Sequence, residues 1–369
     1  MTPGVTLTAH RVTLPLVRPF VTAVRRATVL ESVLVEARDD DGRSGWGEAP
    51  ISRVTRATSD GVCASVDGPL QDLVRSGSPT DALHRVAAST GNTAARMAVD
   101  CALHDLAAQQ AGMSLLRYLG GSSLSVTTDM TLSVGSPAAL SAAARDHVAA
   151  GFGCLKVKVD GSGDPVAGIA AVRAAVGPDV TLRVDANQAF SADDAVRFIR
   201  DLEDRHLDVE FVEQPVRAHD WVALAHVTRH VSTPVMADES LWNLADLHQL
   251  LRHEAAPMVN IKLAKTGGLL PALGLAAAAR EAGLRIIVGC MMESTVGIGA
   301  AAAFASALGA YPQHGPADNV PIDPAQDLDG GLWPRDPAVD GGVRYDRSTI
   351  GIADRPGLGV TGLQTAPRG

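Results

Sequence analysis

Lys158, Asp185, Glu213, Asp238 and Lys262 follow one another at intervals of 24 to 28 residues, each closing a short β-branched run. Taken singly, each is as good a solvated strand end as a site residue. Five in register point instead to one end of one sheet. Three carboxylates converging from neighbouring strands repel one another unless a cation neutralises them. Asp185, Glu213 and Asp238 offer hard oxygen ligands with no Cys or His alongside, which suits Mg2+. Zinc would want His or Cys there. Lys158 precedes the acidic residues and Lys262 follows them. In a closed ring they would face each other across the metal, one removing a proton and the other returning it from the opposite face. Each would need a depressed pKa to do so near neutrality, and burial and the metal push that way. Strand side chains alternate, so Lys156 shares a face with Lys158, Asn187 with Asp185, and Asn260 with Lys262. Lys156 reads as an electrostatic clamp on a developing oxyanion. The chemistry implied is abstraction of a proton α to a carboxylate, giving a metal-stabilised enediolate.

A recurrence of this length is one strand plus one helix. The runs Val126–Val134, Cys154–Val159, Thr181–Asp185, Val209–Glu213, Val235–Asp238, Met258–Leu263 and Arg285–Cys290 alternate with helical stretches. The regular period predicts an α/β fold of the TIM-barrel kind, whose polar site residues collect at the C-terminal strand ends. A doubly wound open sheet is the alternative, but no Gly-rich nucleotide loop follows an early strand. The first 50 residues differ in character. Glu31–Arg38 and Arg43–Glu48 flank Asp39-Asp40-Asp41-Gly42 as an antiparallel hairpin. Helices follow at about Asp60–Arg75 and Thr93–Ala111, and Gly120-Gly121 closes this α+β block.

The chain has 369 residues, 46% hydrophobic and 20% charged, which is ordinary for a globular protein with a sizeable core. Its net charge of −9 argues against nucleic acid or an anionic membrane as partner. Four cysteines without CxxC spacing predict neither a disulfide framework nor a zinc site. No signal peptide is legible at the start, and the uncharged stretch Ser294–Ala317 reads as a buried helix and loop, so a cytoplasmic location is expected. His226 and His230 share a helix face, but as an outer, solvated one, and His104 reads as structural.

These residues resemble the enolase superfamily, in its muconate-lactonizing subgroup. The resemblance spans nearly the whole chain. It rests on Trp46-Gly47-Glu48-Ala49-Pro50, Lys156-Val157-Lys158, Asp185-Ala186-Asn187, Glu213-Gln214-Pro215, Asp238-Glu239-Ser240 and Asn260-Ile261-Lys262. It implies a modified TIM barrel, (β/α)7β, at residues 123–330, an α+β capping domain with lid loops at 1–122, and a C-terminal segment, 331–369, returning to the cap. It further implies one Mg2+ per subunit on Asp185, Glu213 and Asp238, with Lys158 and Lys262 as the acid/base pair. Asn187, Glu239 and Asn260 would support these groups.

Within the subgroup the chain is most similar to dipeptide epimerases. Asp327-Leu328-Asp329 stands where those enzymes carry an Asp-x-Asp pair for the dipeptide ammonium, here expected on one strand face. Gly289-Cys290-Met291-Met292-Glu293-Ser294 and Thr128-Asp129-Met130-Thr131-Leu132-Ser133 are similar to their site-lining segments, which makes Thr131, Cys290 and Met292 substrate-binding candidates. Arg18–Arg26 resembles their first lid. Arg25 matches the arginine that Ala-Glu epimerases use for the glutamate carboxylate, so L-Ala-D/L-Glu, a cell-wall peptide fragment, is the substrate implied first. The second lid, Ile51–Ser59, lacks the family's usual Thr-Gly, and an insertion is expected around Ala310–Ala325. A dipeptide as the small-molecule partner and a homo-oligomer complete the expectation. On the same scaffold, N-succinylamino acid racemase/o-succinylbenzoate synthase or muconate cycloisomerase chemistry would need no ammonium. A non-catalytic binding barrel would need no metal.

Overall fold

Alternating side chains at the start of the chain build two long strands, β1 (Val5–Thr22) and β2 (Arg25–Asp39), joined through a tight turn to β3 (Ser44–Pro50). The computed structural model describes residues 4–22, 25–309 and 325–364, without the side chain of Arg25. The three strands form one antiparallel sheet. The β1–β2 register breaks between Pro15 and Phe20. Pro15 and Pro19 have no N–H to give a ladder, and here β1 turns to the C-terminal segment: Val17 N donates to Trp333 O and Arg335 N to Pro15 O.

The cap closes on the helix Thr93–Gln110, which is started by Asn92, whose side chain accepts from Ala94 N and Ala95 N. Residues 94–108 of this helix are buried except Arg96, because β3 covers one side and the barrel the other. β3 comes close through Gly45 and Gly47; a Cβ at Gly47 would lie 2.0 Å from Ala98 O. The expected helix at Asp60–Arg75 is interrupted. It runs Ser59–Ser65, passes through a π-type stretch with Gly68 outside the helical region and Pro69 inside it, and resumes at Gln71–Val74.

The expected strand Val126–Val134 is two strands with different partners. β4 (Ser125–Thr127) joins a three-stranded antiparallel sheet with β13 (Arg344–Asp346) and β14 (Thr349–Gly351), while β5 (Met130–Leu132) opens the barrel. The parallel sheet continues through β6 (Cys154–Lys158), β7 (Thr181–Asp185), β8 (Val209–Glu213), β9 (Val235–Ala237), β10 (Met258–Lys262) and β11 (Arg285–Gly289), in sequence order. Outer helices separate the strands, several started by side-chain caps such as Ser136, Asp164, Ser191 and Asn243. Gln326 and Asp327 bridge the two edges. Asp327 N donates to Val288 O, Cys290 N to Asp327 O, Gln326 N to Thr127 O and Asp129 N to Gln326 O. The (β/α)7β barrel is thus closed by an eighth strand only two residues long. The segment from Trp333 onward also meets the cap helix, where Leu358 N donates to Asp105 Oδ1. The two-stranded sheet of β12 (Val339–Gly341) and β15 (Val360–Leu363) completes it.

The uncharged stretch seen in the sequence contains the buried helix Thr295–Gly309, and no described helix is long and apolar enough to cross a membrane. His226 and His230 lie on an outer helix, their rings 4.2 Å apart. The expected insertion at 310–325 lies outside the described residues except for Ala325.

Gly47 yields a stability prediction. Its Cβ contact would be with helix backbone, which cannot swing away. Gly47→Ala is expected to lower unfolding free energy by about 1–3 kcal/mol, measured by denaturant unfolding followed through tryptophan fluorescence. An unchanged midpoint would mean that helix and sheet can separate without cost.

Candidate active site

The expected lysines and carboxylates of β6 to β10 come level at the strand ends because the parallel registers align them. Lys158 pairs in register with Asp185 and Asp185 with Glu213; Lys156 pairs with Thr131 on one side and Arg183 on the other. Asp238 follows β9 directly, and Asn260 and Lys262 lie on β10. All of these side chains are buried.

The lysines occupy the space between the carboxylates. Lys158 Nζ donates to Asp185 Oδ2 at 2.7 Å and to Asn187 Oδ1 at 3.1 Å. At the other flank Lys262 Nζ donates to Asp238 Oδ2 at 2.8 Å. Lys156 Nζ lies between Glu213 Oε2 at 2.6 Å, Asp327 Oδ2 at 2.8 Å and Asp185 Oδ2 at 3.1 Å. Asn260 Nδ2 bridges Glu213 Oε1 and Asp327 Oδ2. Asn187 Nδ2 and Gln188 Nε2 both donate to Glu239 Oε1.

At Lys262 this arrangement reverses one expectation. Burial alone would lower a lysine's pKa, but here it is outweighed. Burial opposes the charge on Lys262, yet Asp238 and Glu213 raise its pKa well above the usual lysine value, and Asp185 and Asp327 do the same for Lys156. In return Lys156 and Lys158 hold Asp185 below the usual carboxylate range, against burial, and Lys262 and Lys265 do so for Asp238. Glu213 moves the other way, raised by burial and by Asp185.

An oxygen-only donor set in a buried place fits Mg2+. Asp185, Glu213 and Asp238 could hold it, and Glu213 Oε2 makes no hydrogen bond despite the nearby Lys156. A second group is more tightly gathered: one oxygen from each of Asp129, Asp327 and Asp329 lies within 4.8 Å of the others.

The Asp-x-Asp pair is built differently from the expected strand face. Asp327 is in the closing strand, but Asp329 starts the 3-10 turn Asp329–Leu332. Its Oδ2 accepts from Thr131 N at 2.9 Å and Trp333 Nε1 at 3.1 Å. Trp333 packs edge-on against Phe20 of the first lid, and Phe20 lies beneath Lys158 Nζ at 5.9 Å. A cavity of about 320 Å3 opens beside Thr131 under this lid, lined also by Arg18, Val21, Arg26 and His147. Burial, then Arg18, pushes His147 down to about 4, so it is a neutral acceptor for Arg18 Nη2 at 2.7 Å. Cys290 and Met292 follow β11; Cys290 is buried and its thiol raised by burial and Glu293. The side chain of Arg25 lies outside the described residues. The second lid touches the same loop, with Ser52 Oγ 3.7 Å from Met291 Sδ.

Several groups escaped sequence reasoning. Lys265 is buried and donates to Asp238 Oδ1 at 2.5 Å and Asn260 O at 2.9 Å. A fourth lysine, beside an apolar strand, was its only signal. Gln214 takes Asp238 N and Ser240 N on Oε1 and so shapes the loop after β9. Gly289 leaves room for its neighbour: a Cβ there would lie 2.8 Å from Lys262 Cε and 2.4 Å from Asn260 Oδ1. Glu48 reaches from the cap to accept from Ser294 N, Ser294 Oγ and Gly297 N. Beside it, burial and Glu48 push Glu293 up to about 8.

Comparison with known proteins was consistent along the whole chain. Residues 4–120 match the mandelate racemase/muconate lactonizing enzyme N-terminal domain, and residues 139–365 match the enolase C-terminal domain-like family. The chain is 38% identical to the L-Ala-D/L-Glu epimerase of Bacillus subtilis over 95% of each sequence. The structure of that enzyme with substrate superposes with a TM-score of 0.92 at 36% identity, covering 99% of this chain and 100% of the other. A dipeptide epimerase from Enterococcus faecalis, in complex with Mg and L-Leu-L-Tyr, gives 0.89 at 32% identity over 98% of this chain and 100% of the other.

Glu293 gives a pH prediction. Its folded pKa lies above the unfolded value, so the folded state prefers the protonated carboxyl. The stability this contributes is present below the unfolded pKa and is lost as pH rises to about 8. Glu293→Gln is expected to lose less stability than wild type between pH 5 and 9, ending with the higher Tm at pH 9. Parallel Tm curves for the two proteins would refute the assignment.

Proposed function

The chain belongs to the mandelate racemase/muconate lactonizing enzyme family of the enolase superfamily, and from that premise we propose a Mg2+-dependent dipeptide epimerase. It inverts the α-carbon of the C-terminal residue by 1,1-proton transfer. The observation that carries this reading is the pair Lys158–Asp185 and Lys262–Asp238 at opposite flanks of one row of strand ends.

Asp185, Glu213 and Asp238 would hold Mg2+, which when bound supplies positive charge to the substrate carboxylate. Lys156 donates to a carboxylate oxygen as negative charge builds on it. One of Lys158 and Lys262, as the free amine, takes the α-proton from its face. The other, as ammonium, delivers a proton to the opposite face, and the roles exchange for the other epimer. A lysine that has left its carboxylate partner keeps the burial that disfavours its charge, so it becomes a base. Phe20 and Trp333 keep water from the lysine. Asn187, Glu239 and Asn260 keep the carboxylates and Lys158 in place.

Asp327 and Asp329 accept hydrogen bonds from the ammonium of the first residue. These buried carboxylates favour a dipeptide over N-succinylamino acids or muconate, which would leave them uncompensated. Thr131, Cys290 and Met292 line the site, and Arg25 selects an acidic second residue. The first substrate to test is L-Ala-L-Glu, and a role in cell-wall peptide metabolism follows from it. We place the enzyme in the cytoplasm, where its four free cysteines stay reduced. A homo-oligomer fits the exposed Val222, Leu244 and Leu251 on the outer helices.

Incubation in D2O with Mg2+ and pooled L,L-dipeptides should give a one-unit mass gain at the second α-carbon. Gain confined to N-succinylamino acids would sink the dipeptide reading. Lys158→Ala and Lys262→Ala should each lower epimerisation by about a hundredfold or more, each variant exchanging the proton of one epimer only. EDTA should abolish turnover, and saturating Mg2+ should raise Tm in wild type but not in Asp238→Asn. Absence of any Mg2+ effect on the wild-type Tm would support a binding module instead.

A further inference from the structure

Asp129 is fully buried and enters none of the roles assigned above. Its Oδ2 accepts from Arg183 Nη1 at 2.8 Å, while its Oδ1 is buried with no hydrogen-bond partner. It also belongs to the tight group with Asp327 and Asp329, one oxygen of each within 4.8 Å of the others. An acceptor without a donor in such a place is costly, and three carboxylates this close repel. The fixed cations near them are all shared with other acids. Arg183 is shared with Glu210, and Lys156 is shared with Asp185 and Glu213. Among the described residues Asp329 accepts from the neutral Thr131 N and Trp333 Nε1, and the positive charge that reaches it, Arg18, is shared with Asp146.

We propose that Asp129 is the third acceptor for the substrate ammonium, completing with Asp327 and Asp329 a pocket of three carboxylates for three N–H donors. This rests on the dipeptide reading above. A primary ammonium carries one charge and three donors, so it satisfies Asp129 Oδ1 and relieves the excess negative charge together. A second divalent ion fits less well, because Arg183 and Lys156, 2.8 Å from Asp129 and Asp327, repel two charges about twice as strongly as the single charge of an ammonium. Arg183 also donates to Glu210 and to Ala325 O, which fixes Asp129 from below whether or not substrate is present. The pocket therefore counts hydrogens on the amine: it selects a primary ammonium over secondary, tertiary or acylated nitrogen.

The test measures α-proton exchange on L-Ala-L-Glu, its N-methyl and N,N-dimethyl forms, and N-acetyl-L-Ala-L-Glu. In wild type each N-methylation should raise KM by about tenfold, as one hydrogen bond to a charged group is lost. Tolerance of the first methyl would mean two acceptors and overturn the proposal. Asp129→Asn should raise KM for L-Ala-L-Glu by about tenfold or more, with kcat little changed and the N-acetyl substrate unaffected. A wild-type KM in Asp129→Asn, beside a raised KM in Asp327→Asn, would overturn the role of Asp129 and leave the dipeptide reading intact. Equal wild-type KM for free and N-acetyl dipeptide would overturn both. Two Mg2+ bound per chain in wild type and one in Asp129→Asn would assign the carboxylates to a metal instead. If Asp129→Asn does not fold, the N-methyl series on wild type decides alone.

Discussion

A carboxylate stripped of water inside a barrel needs a positive partner within a few ångströms, and the mouth of this barrel is organised around that need. Asp185, Glu213, Asp238, Asp327 and Glu239 converge with Lys156, Lys158, Lys262 and Lys265. In a medium of low polarisability neither set could be buried without the other. The lysines and a divalent cation are alternative neutralisers of the same oxygens. That equivalence makes the site reactive. A lysine paired with a carboxylate is held charged, and the same lysine, unpaired in the same dry place, is a base. Lys265 stands apart, because it binds Asp238 Oδ1 and backbone oxygens from behind and leaves Oδ2 toward the site.

The same electrostatic demand ties the cap to the barrel. Asp100 and Asp105 lie on the buried cap helix. Asp100 accepts from Leu269 N at the start of an outer barrel helix, and Asp105 accepts from Trp46 N and Leu358 N. Glu48 does likewise for the helix Thr295–Gly309. Helix N-termini carry unpaired N–H groups and partial positive charge, so they are suitable partners for buried carboxylates. Cap and barrel therefore complete each other's hydrogen bonding. The lid strand belongs to the same assembly, since Phe20 reaches Trp333, whose indole N–H in turn fixes Asp329.

The row of lysines and carboxylates at the strand ends was legible because it repeats. Lys158, Asp185, Glu213, Asp238 and Lys262 recur with the strand–helix unit, and parallel pairing turns equal spacing into equal height. The split of Val126–Val134 was not legible, since β4 and β5 have similar composition and differ only in partner. The closing strand at Gln326–Asp327 is too short to leave a periodic signal, so Asp329 was placed on a strand that has already ended. The Lys262 pKa was misjudged for a related reason. Burial is visible in an apolar run, but the number of carboxylates around each ammonium depends on which strands lie across the barrel. Glu48 and Gly289 act through distant or missing atoms, which no local pattern encodes.

Chemistry and selectivity are consequently carried by different kinds of position. The groups proposed for proton transfer stand on strands held by neighbours on both sides, and Gly289 shows how little they tolerate: one methyl there would displace both Lys262 and Asn260. The groups proposed to meet the rest of the substrate lie partly on strands, at Thr131 and Asp327, and partly on Phe20, the loop after β11 and the turn at Asp329. Changing the second residue of a dipeptide therefore leaves the charge balance at the strand ends untouched. Removing its ammonium does not, because Asp327 shares Lys156 with Asp185 and Glu213. On the proposed reading, recognition of the amine would be coupled to the reaction through that lysine, whereas recognition of the side chain would be free to drift.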